Sequence, residues 1–322
     1  MWAVFEELVA RQDGVLTRQQ AYGCGVSKGQ IEARVSGGRW QRVAGRVYAT
    51  FTGPLPRRAQ LWALLLRAGR GALLSHETAA EQQGLVDQPS RVVHLTVPGD
   101  RRPISIPGVI RHIRADAGSA AHPTRLPPQT RIEETVLDLT QRAGDLDDAL
   151  GWVARACGRR LTTPDRMLRA MERRAKLRWR RELSRALADI ADGCHSLLEL
   201  RYLRDVERAH RLPAAERQAV RARRGGRWYD DVHYRAYRTR VELDGRAAHP
   251  ADHRRRDALR DNAAAVAGDT TLRYGWADAT AGACETAAQV ATVLRRNGWT
   301  GEPTPCSPTC PLLRAPGPAP QP

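Results

Sequence analysis

Apolar positions in the first fifty residues recur at helical spacing three times and then begin to alternate. "WAVFEELVARQDG" reads as an amphipathic helix closed by Gly14. Thr17 caps a short second helix, "RQQAYGCG", which glycine ends. In "SKGQIEARVSGG", Ser27 and Gln30 form an S-x-x-Q capping box, and Ile31 and Val35 make an inward i, i+4 pair. Gly37-Gly38 stop that helix. "RWQRVAGRVYAT" then alternates apolar and basic residues around Ala44-Gly45, the pattern of a two-stranded hairpin.

Three short helices followed by a basic hairpin is the order of a winged helix-turn-helix, expected over residues 1–56. In such a domain the third helix enters the major groove and the wing lies along the backbone. Lys28, Gln30 and Arg34 on the helix, with Arg39, Arg42 and Arg46 on the hairpin, are the expected contacts to double-stranded DNA. The same pattern also describes a winged-helix module used for protein contacts, or cations that merely solvate a face.

Residues 57–160 read as a helix-rich middle with a strand section. Ser75 caps "HETAAEQQGL", "RVVHLTVPG" and "IPGVIRHIR" alternate like paired strands, and "PPQTRIEETVLDLTQRAG" returns to helical periodicity. Thr163-Pro164 is an N-cap with proline at the first helical position. It opens a stretch rich in arginine, expected to be one long basic connecting helix within 161–193. From 194 to 300 the pattern is helix, strand, strand, helix, strand, helix, which indicates an α/β domain with a small mixed sheet. The Pro-rich residues 301–322 are expected to be disordered. The fold class expected is therefore α+β and multidomain.

Charge narrows the partners. Lys and Arg number 52 against 35 Asp and Glu, a net charge of +17, and most of the cations are arginine. Such a balance suits a polyanion, nucleic acid first, although arginine written onto a solvated surface has the same composition. The N-terminus carries Glu6 and Glu7 and no basic region, so it does not read as a signal peptide. The longest apolar run, "LWALLL" at 61–66, is too short to span a bilayer, so no membrane partner is expected. Six scattered cysteines lack a disulfide framework, which points to a reducing cytoplasm. Cys306 and Cys310 in "CSPTCP" have no further ligands nearby in sequence, so no zinc site is expected there.

The candidate chemistry lies in "WYDDVHY" and "TRVELDG". With a turn centred between Ala236 and Tyr237, Asp231 falls opposite Glu242 and Val232 opposite Val241. Alternation then gathers Asp231, Glu242 and Asp244 on one face and Val232, Val241 and Leu243 on the other. Like charges opposite one another destabilise a sheet. Mg²⁺, or Mn²⁺, would relieve them, and a bound ion suits phosphodiester hydrolysis. The alternative is an exposed strand face whose acids pair with neighbouring arginines. Glu199 is a fourth acid, which "SLLE" equally explains as a helix cap, and His249 is a candidate general base. No P-loop, dinucleotide-binding or nucleophile-elbow motif is present, and no small-molecule cofactor is expected.

Two stretches resemble known families. "GVLTRQQAYGCGVSKGQIEARVSGGRWQRVAGRVYAT" with "LLSHETAAEQQGL", over roughly residues 5–140, resembles the N-terminal region of abortive-infection type IV antitoxins. That resemblance implies a DNA-binding repressor facing a cognate toxin protein. "YDDVHYRAYRTRVELDGRAAHP" through "RRRDALRDNAAAVAGDTTLRYGW", over about 195–299, resembles an uncharacterised domain. That domain is grouped with very-short-patch-repair endonucleases and the restriction-endonuclease-like PD-(D/E)xK nucleases. The resemblance implies that Asp231 and Glu242 bind metal, that Glu199 matches the acid of the first helix, and that His249 assists the attacking water. It departs from the pattern at Asp244, which stands where the family carries lysine. Arg260 or Arg273 would then supply the cation, or Asp244 is a further metal ligand.

The expected function is a DNA-binding protein with an Mg²⁺-dependent endonuclease-like C-terminal domain. The alternative is a non-enzymatic DNA-binding regulator of the antitoxin type.

Overall fold

The computed structural model describes residues 2–99, 105–223, 226–244 and 262–314, without the side chains of 220–228. The chain is mixed α and β, with three small sheets among the described residues. It divides into two compact units. One contains the chain up to Trp152 together with Arg159–Arg178; the other contains Val153–Gly158 and the chain from Trp179 onward.

The first unit begins with helix α1 (Trp2–Arg11), strand β1 (Val15–Thr17), helices α2 (Arg18–Gly23) and α3 (Lys28–Ser36), and strands β2 (Gln41–Ala44) and β3 (Val47–Ala49). The expected Ser27–Gln30 capping box forms, and the Thr17 cap proves to be a second box with Gln20. Gln20 N–H donates to Thr17 Oγ1 at 3.1 Å and Gln30 N–H to Ser27 Oγ at 3.2 Å, while each glutamine side chain accepts from its cap residue's backbone. Strand β1 was not legible in the pattern, because three residues are too few for an alternation to register. It pairs antiparallel with β3, giving the sheet order β1-β3-β2.

Alternation along this sheet feeds two cores. Leu16 and Tyr48 pack with Phe5, Ile31 and Trp40 beneath the first three helices. Their neighbours Val15 and Val47 pack instead with Leu61, Trp62 and Leu65 of helix α4 (Arg57–Ala68). Residues 1–56 and the stretch that follows thus share one compact unit.

Strands β4 (Leu73–Leu74), β5 (Val93–Pro98) and β6 (Val109–Arg114) form a second sheet in that order. The two segments expected to pair do so, in parallel register from Val93↔Val109 to Pro98↔Arg114. Helix α5 (His76–Gln82) follows Ser75, whose side chain makes no capping bond. Helix α7 (Ile132–Arg142) comes after the single turn α6 (Ala117–Ala120), and α8 (Leu146–Gly158) follows it.

The basic stretch expected as one helix is two, α9 (Pro164–Glu172) and α10 (Arg180–Ala191). The interruption has a tertiary cause. Arg174 leaves the helix to bond Glu134 at 2.6 Å and Asp138 at 2.7 Å, both on α7. Gln141 donates to the Lys176 carbonyl, and Arg178 reaches the carbonyl of Ala143. Buried carboxylates require partners, and Glu134 is only 2% exposed, so its demand overrides local helix propensity.

In the second unit, helix α11 (Leu197–Arg201) runs on as a π-helical segment, Tyr202–Arg208. The sheet that follows has the order β10-β9-β8-β7, with β7 (Glu216–Arg223), β8 (Gly226–Tyr234), β9 (Thr239–Leu243) and β10 (Thr270–Tyr274). Strand β7, "ERQAVRAR", escaped the reading because its apolar positions are small and its polar ones almost all charged. Tyr202, Val206, Val232, Tyr234 and Val241 form the core with Ala287, Val290 and Leu294 of the C-terminal helix, Ala283–Arg296. Residues 301–314 are part of this unit: Thr304 N–H donates to the His210 carbonyl at 2.8 Å, and Cys310 is buried. That ordering departs from the expectation of a disordered tail.

Candidate functional site

Strands β8 and β9 pair antiparallel with Val232↔Val241, His233↔Arg240 and Tyr234↔Thr239 in register. One further step brings Asp231 across from Glu242, and the Leu243 N–H donates to Asp231 Oδ2 at 2.8 Å. Val232 and Val241 face the core, fully buried, so alternation directs the acids to the opposite side. Glu242 is 6% exposed.

Glu199 is adjacent to this face but largely occupied. Its carboxylate accepts from Ser196 Oγ, the His195 N–H and the Gln218 side chain, while its own N–H donates to Ser196 as a helix cap. Burial pushes its pKa up, and the nearby charge of Asp231 adds to the shift.

Asp244 is half exposed and paired. In the parallel β9–β10 ladder Arg273 stands beside Glu242, and its Nη1 lies 3.2 Å from Asp244 Oδ2. A cation on the neighbouring strand thus pairs with Asp244. His249 lies outside the described residues, as does Arg260.

Asp230 has a different role from Asp231. It is fully buried against Arg240, which also binds Asp269, so one guanidinium serves two carboxylates inside the unit.

The donors available at Asp231 and Glu242 are carboxylate oxygens on adjacent strands. This set suits Mg²⁺, which takes one or two carboxylates and keeps several waters. Among the described residues, two groups of three or more His, Cys, Asp or Glu bring their ligand atoms within 4.8 Å of one another, and neither is this acidic face.

Of the residues expected to touch DNA, Lys28, Gln30, Arg39, Arg42 and Arg46 are exposed. Gln30 is committed to its cap, and Lys28 is 3.7 Å from Glu32 on the same helix. Arg34 is turned inward instead. Its guanidinium lies over the rings of Trp2 and Trp40, at 5.8 and 5.1 Å from their centroids. Between α3 and the hairpin runs a cleft of about 310 Å³ lined by Arg18, Tyr22, Lys28, Glu32, Arg42 and Tyr48.

Two clusters went unread in the sequence because their members are far apart along the chain. In the second unit, His210, Cys284, Cys306 and Cys310 converge. In the first, His76, His94 and His112 stack, with the His76 and His112 ring centroids 3.6 Å apart. His94 joins His112 Nε2 through Nδ1 at 3.0 Å and Glu77 through Nε2 at 3.2 Å, so both its nitrogens are used. Burial holds His76 down to about 2 and His112 down to about 4, with each further lowered by its neighbouring histidines.

No protein-family model matches the chain, and no curated protein matches it. Among solved structures it is similar to the crystal structure of the RV2827C protein from Mycobacterium tuberculosis. The identity is 18% and the TM-score 0.37, over 56% of this chain and 74% of that one. A likeness this slight carries no argument.

Proposed function

We propose that the chain is a cytoplasmic DNA-binding protein with an N-terminal winged helix-turn-helix and a restriction-endonuclease-like C-terminal domain that hydrolyses DNA phosphodiesters with Mg²⁺. The order α1-β1-α2-α3-β2-β3 with sheet order β1-β3-β2 supports the first part, together with exposed Arg39, Arg42 and Arg46 on the hairpin side. The observation that carries the second part is the Val232↔Val241 register, next to which Asp231 and Glu242 follow along the two strands, with Arg273 opposite Glu242 on β10.

In this reading Asp231 and Glu242 would hold the metal, which would supply Lewis-acid stabilisation of the phosphoryl group. Asp231 is oriented by the Leu243 N–H. Arg273 supplies the positive charge toward the scissile phosphate that the sequence lacks at Asp244. Glu199 keeps the end of α11 fixed beside Asp231. His249 takes the proton of the attacking water.

A non-enzymatic regulator, binding DNA and facing a cognate toxin, is the second reading. It is favoured by the hydrogen bonds already made to Glu199 and by the Asp244–Arg273 pair.

The test is to incubate the purified chain with plasmid and Mg²⁺ beside Asp231→Ala and Glu242→Ala. Cleavage by wild type alone supports the enzyme. Intact plasmid with retarded mobility supports the regulator, and cleavage by the variants at the wild-type rate removes these residues from the site.

A further inference from the structure

The cluster at the end of the second unit is independent of the acidic face. Cys284 Sγ is 3.6 Å from Cys306 Sγ, Cys310 Sγ is 3.8 Å from His210 Nε2, and all four ligand atoms lie within 4.8 Å of one another. A tetrahedral ion with Zn–S bonds of about 2.3 Å sets its sulfurs about 3.8 Å apart, so these separations are those of a zinc shell. They are far from the about 2.05 Å of a disulfide.

The histidine is prepared for the role. His210 is fully buried, and its Nδ1 lies 3.0 Å from the Val206 carbonyl. That bond places the proton on Nδ1 and leaves the Nε2 lone pair aimed at the sulfurs, the second-shell arrangement of metal-bound imidazoles.

The protein parts that meet here also need a tie. His210 follows the π-helical segment, Cys284 lies in the first turn of helix Ala283–Arg296, and Cys306 and Cys310 lie on the C-terminal segment. Across residues 301–313 Cys310 is the one buried side chain, so that segment has almost no apolar surface with which to hold its position. Its local order is built around the thiol. The Cys310 N–H bonds the Ser307 carbonyl, and the Cys310 carbonyl accepts from Leu313.

We propose that His210, Cys284, Cys306 and Cys310 bind one Zn²⁺ as a closed, structural Cys₃His site. Three soft thiolates and an imidazole select zinc over hard cations such as Mg²⁺. Four protein ligands leave no open position for a substrate or catalytic water. On binding, the three thiols release their protons to solvent, and the site carries a net charge of −1. The metal replaces the core that the C-terminal segment lacks, so its binding free energy becomes folding free energy for that segment.

Elemental analysis of the full chain, purified without chelator, is expected to give about one zinc per chain. Cys310→Ala and His210→Ala lose it, whereas Cys24→Ser and Asp231→Ala retain it. The Asp231→Ala arm separates this site from the acidic face, since loss of nuclease activity there leaves zinc untouched. Wild-type chain loaded with Co²⁺ shows the d–d bands and thiolate charge transfer of a tetrahedral sulfur-rich site, a readout that stands even where a variant fails to fold. A metal-free wild-type chain that takes up no cobalt, or a Cys284–Cys306 disulfide found by mass spectrometry, overturns the proposal. So does zinc retained in both ligand variants.

Discussion

Arg273 of β10 stands beside Glu242 in the parallel ladder and extends its guanidinium to Asp244, 3.2 Å from Oδ2. One strand thus carries the acid of the candidate site while the next carries its cation. If that cation serves the phosphate, Arg273→Gln lowers plasmid cleavage by about 10²-fold, the scale of losing one transition-state donor. Because Asp244 is half exposed, the pair itself contributes no more than about 1 kcal/mol to stability. Single-turnover cleavage rates and thermal unfolding on the same variant separate the two effects. An unchanged rate makes the contact a surface ion pair.

Arg34 is expected to matter for stability more than for DNA. Its guanidinium lies over Trp2 and Trp40, so Arg34→Ala costs about 1–2 kcal/mol of unfolding free energy through the lost cation–π contacts. The exposed hairpin cations behave oppositely. Arg39→Ala and Arg46→Ala leave stability nearly unchanged, and each flattens the salt dependence of binding by about 0.9 in log–log slope. Fluorescence anisotropy with a labelled duplex at several salt concentrations checks this. A steeper loss at Arg34 than at the hairpin would reverse the assignment.

The histidine stack makes the first unit acid-sensitive. His112 and His76 are held down to about 4 and about 2, chiefly by burial, against an ordinary value of 6.5. The unfolded chain therefore takes up protons that the folded chain refuses. Stability is complete above pH 6.5 and falls as pH drops toward 4, by up to about 1.4 kcal/mol per pH unit for the buried His76 ring and by less for the partly exposed His112. Urea unfolding at pH 7, 6 and 5 is the measurement, with His112→Gln expected to reduce the slope. A pH-independent midpoint would mean that the rings titrate normally.

Arg240 sits 3.6 Å from Asp230, and both are almost completely buried. Arg240→Ala removes the guanidinium that both Asp230 and Asp269 face and is expected to cost about 3–5 kcal/mol. Calorimetry should lose or greatly lower the transition of the second unit while the first is unaffected. A shift below about 1 kcal/mol would mean that water reaches the pair and screens it.

Local chemistry was legible along the chain wherever the relevant interactions span a few residues. Thr17 with Gln20, Ser27 with Gln30 and Thr163 with Pro164 start their helices as read, because a cap joins groups three residues apart. The Val232↔Val241 register was legible too, since a short turn and the burial of one face leave a hairpin a single workable pairing. Where a short strand or a charged one lacked a pattern, as at β1 and β7, nothing marked it.

Position in three dimensions decided the rest. The sequence by itself determined most of the helices and the longer patterned strands, which of their faces are apolar, and the Val232↔Val241 pairing, all consequences of periods of 3.6 and 2. Only the tertiary structure decided that Arg174 breaks the basic helix to reach Glu134 and that Arg34 turns from solvent onto two tryptophans. It also decided that Cys284 and His210 meet the C-terminal cysteines. These outcomes depend on buried charges and ligands finding partners across long chain separations. Packing sets those distances, and no local period encodes them.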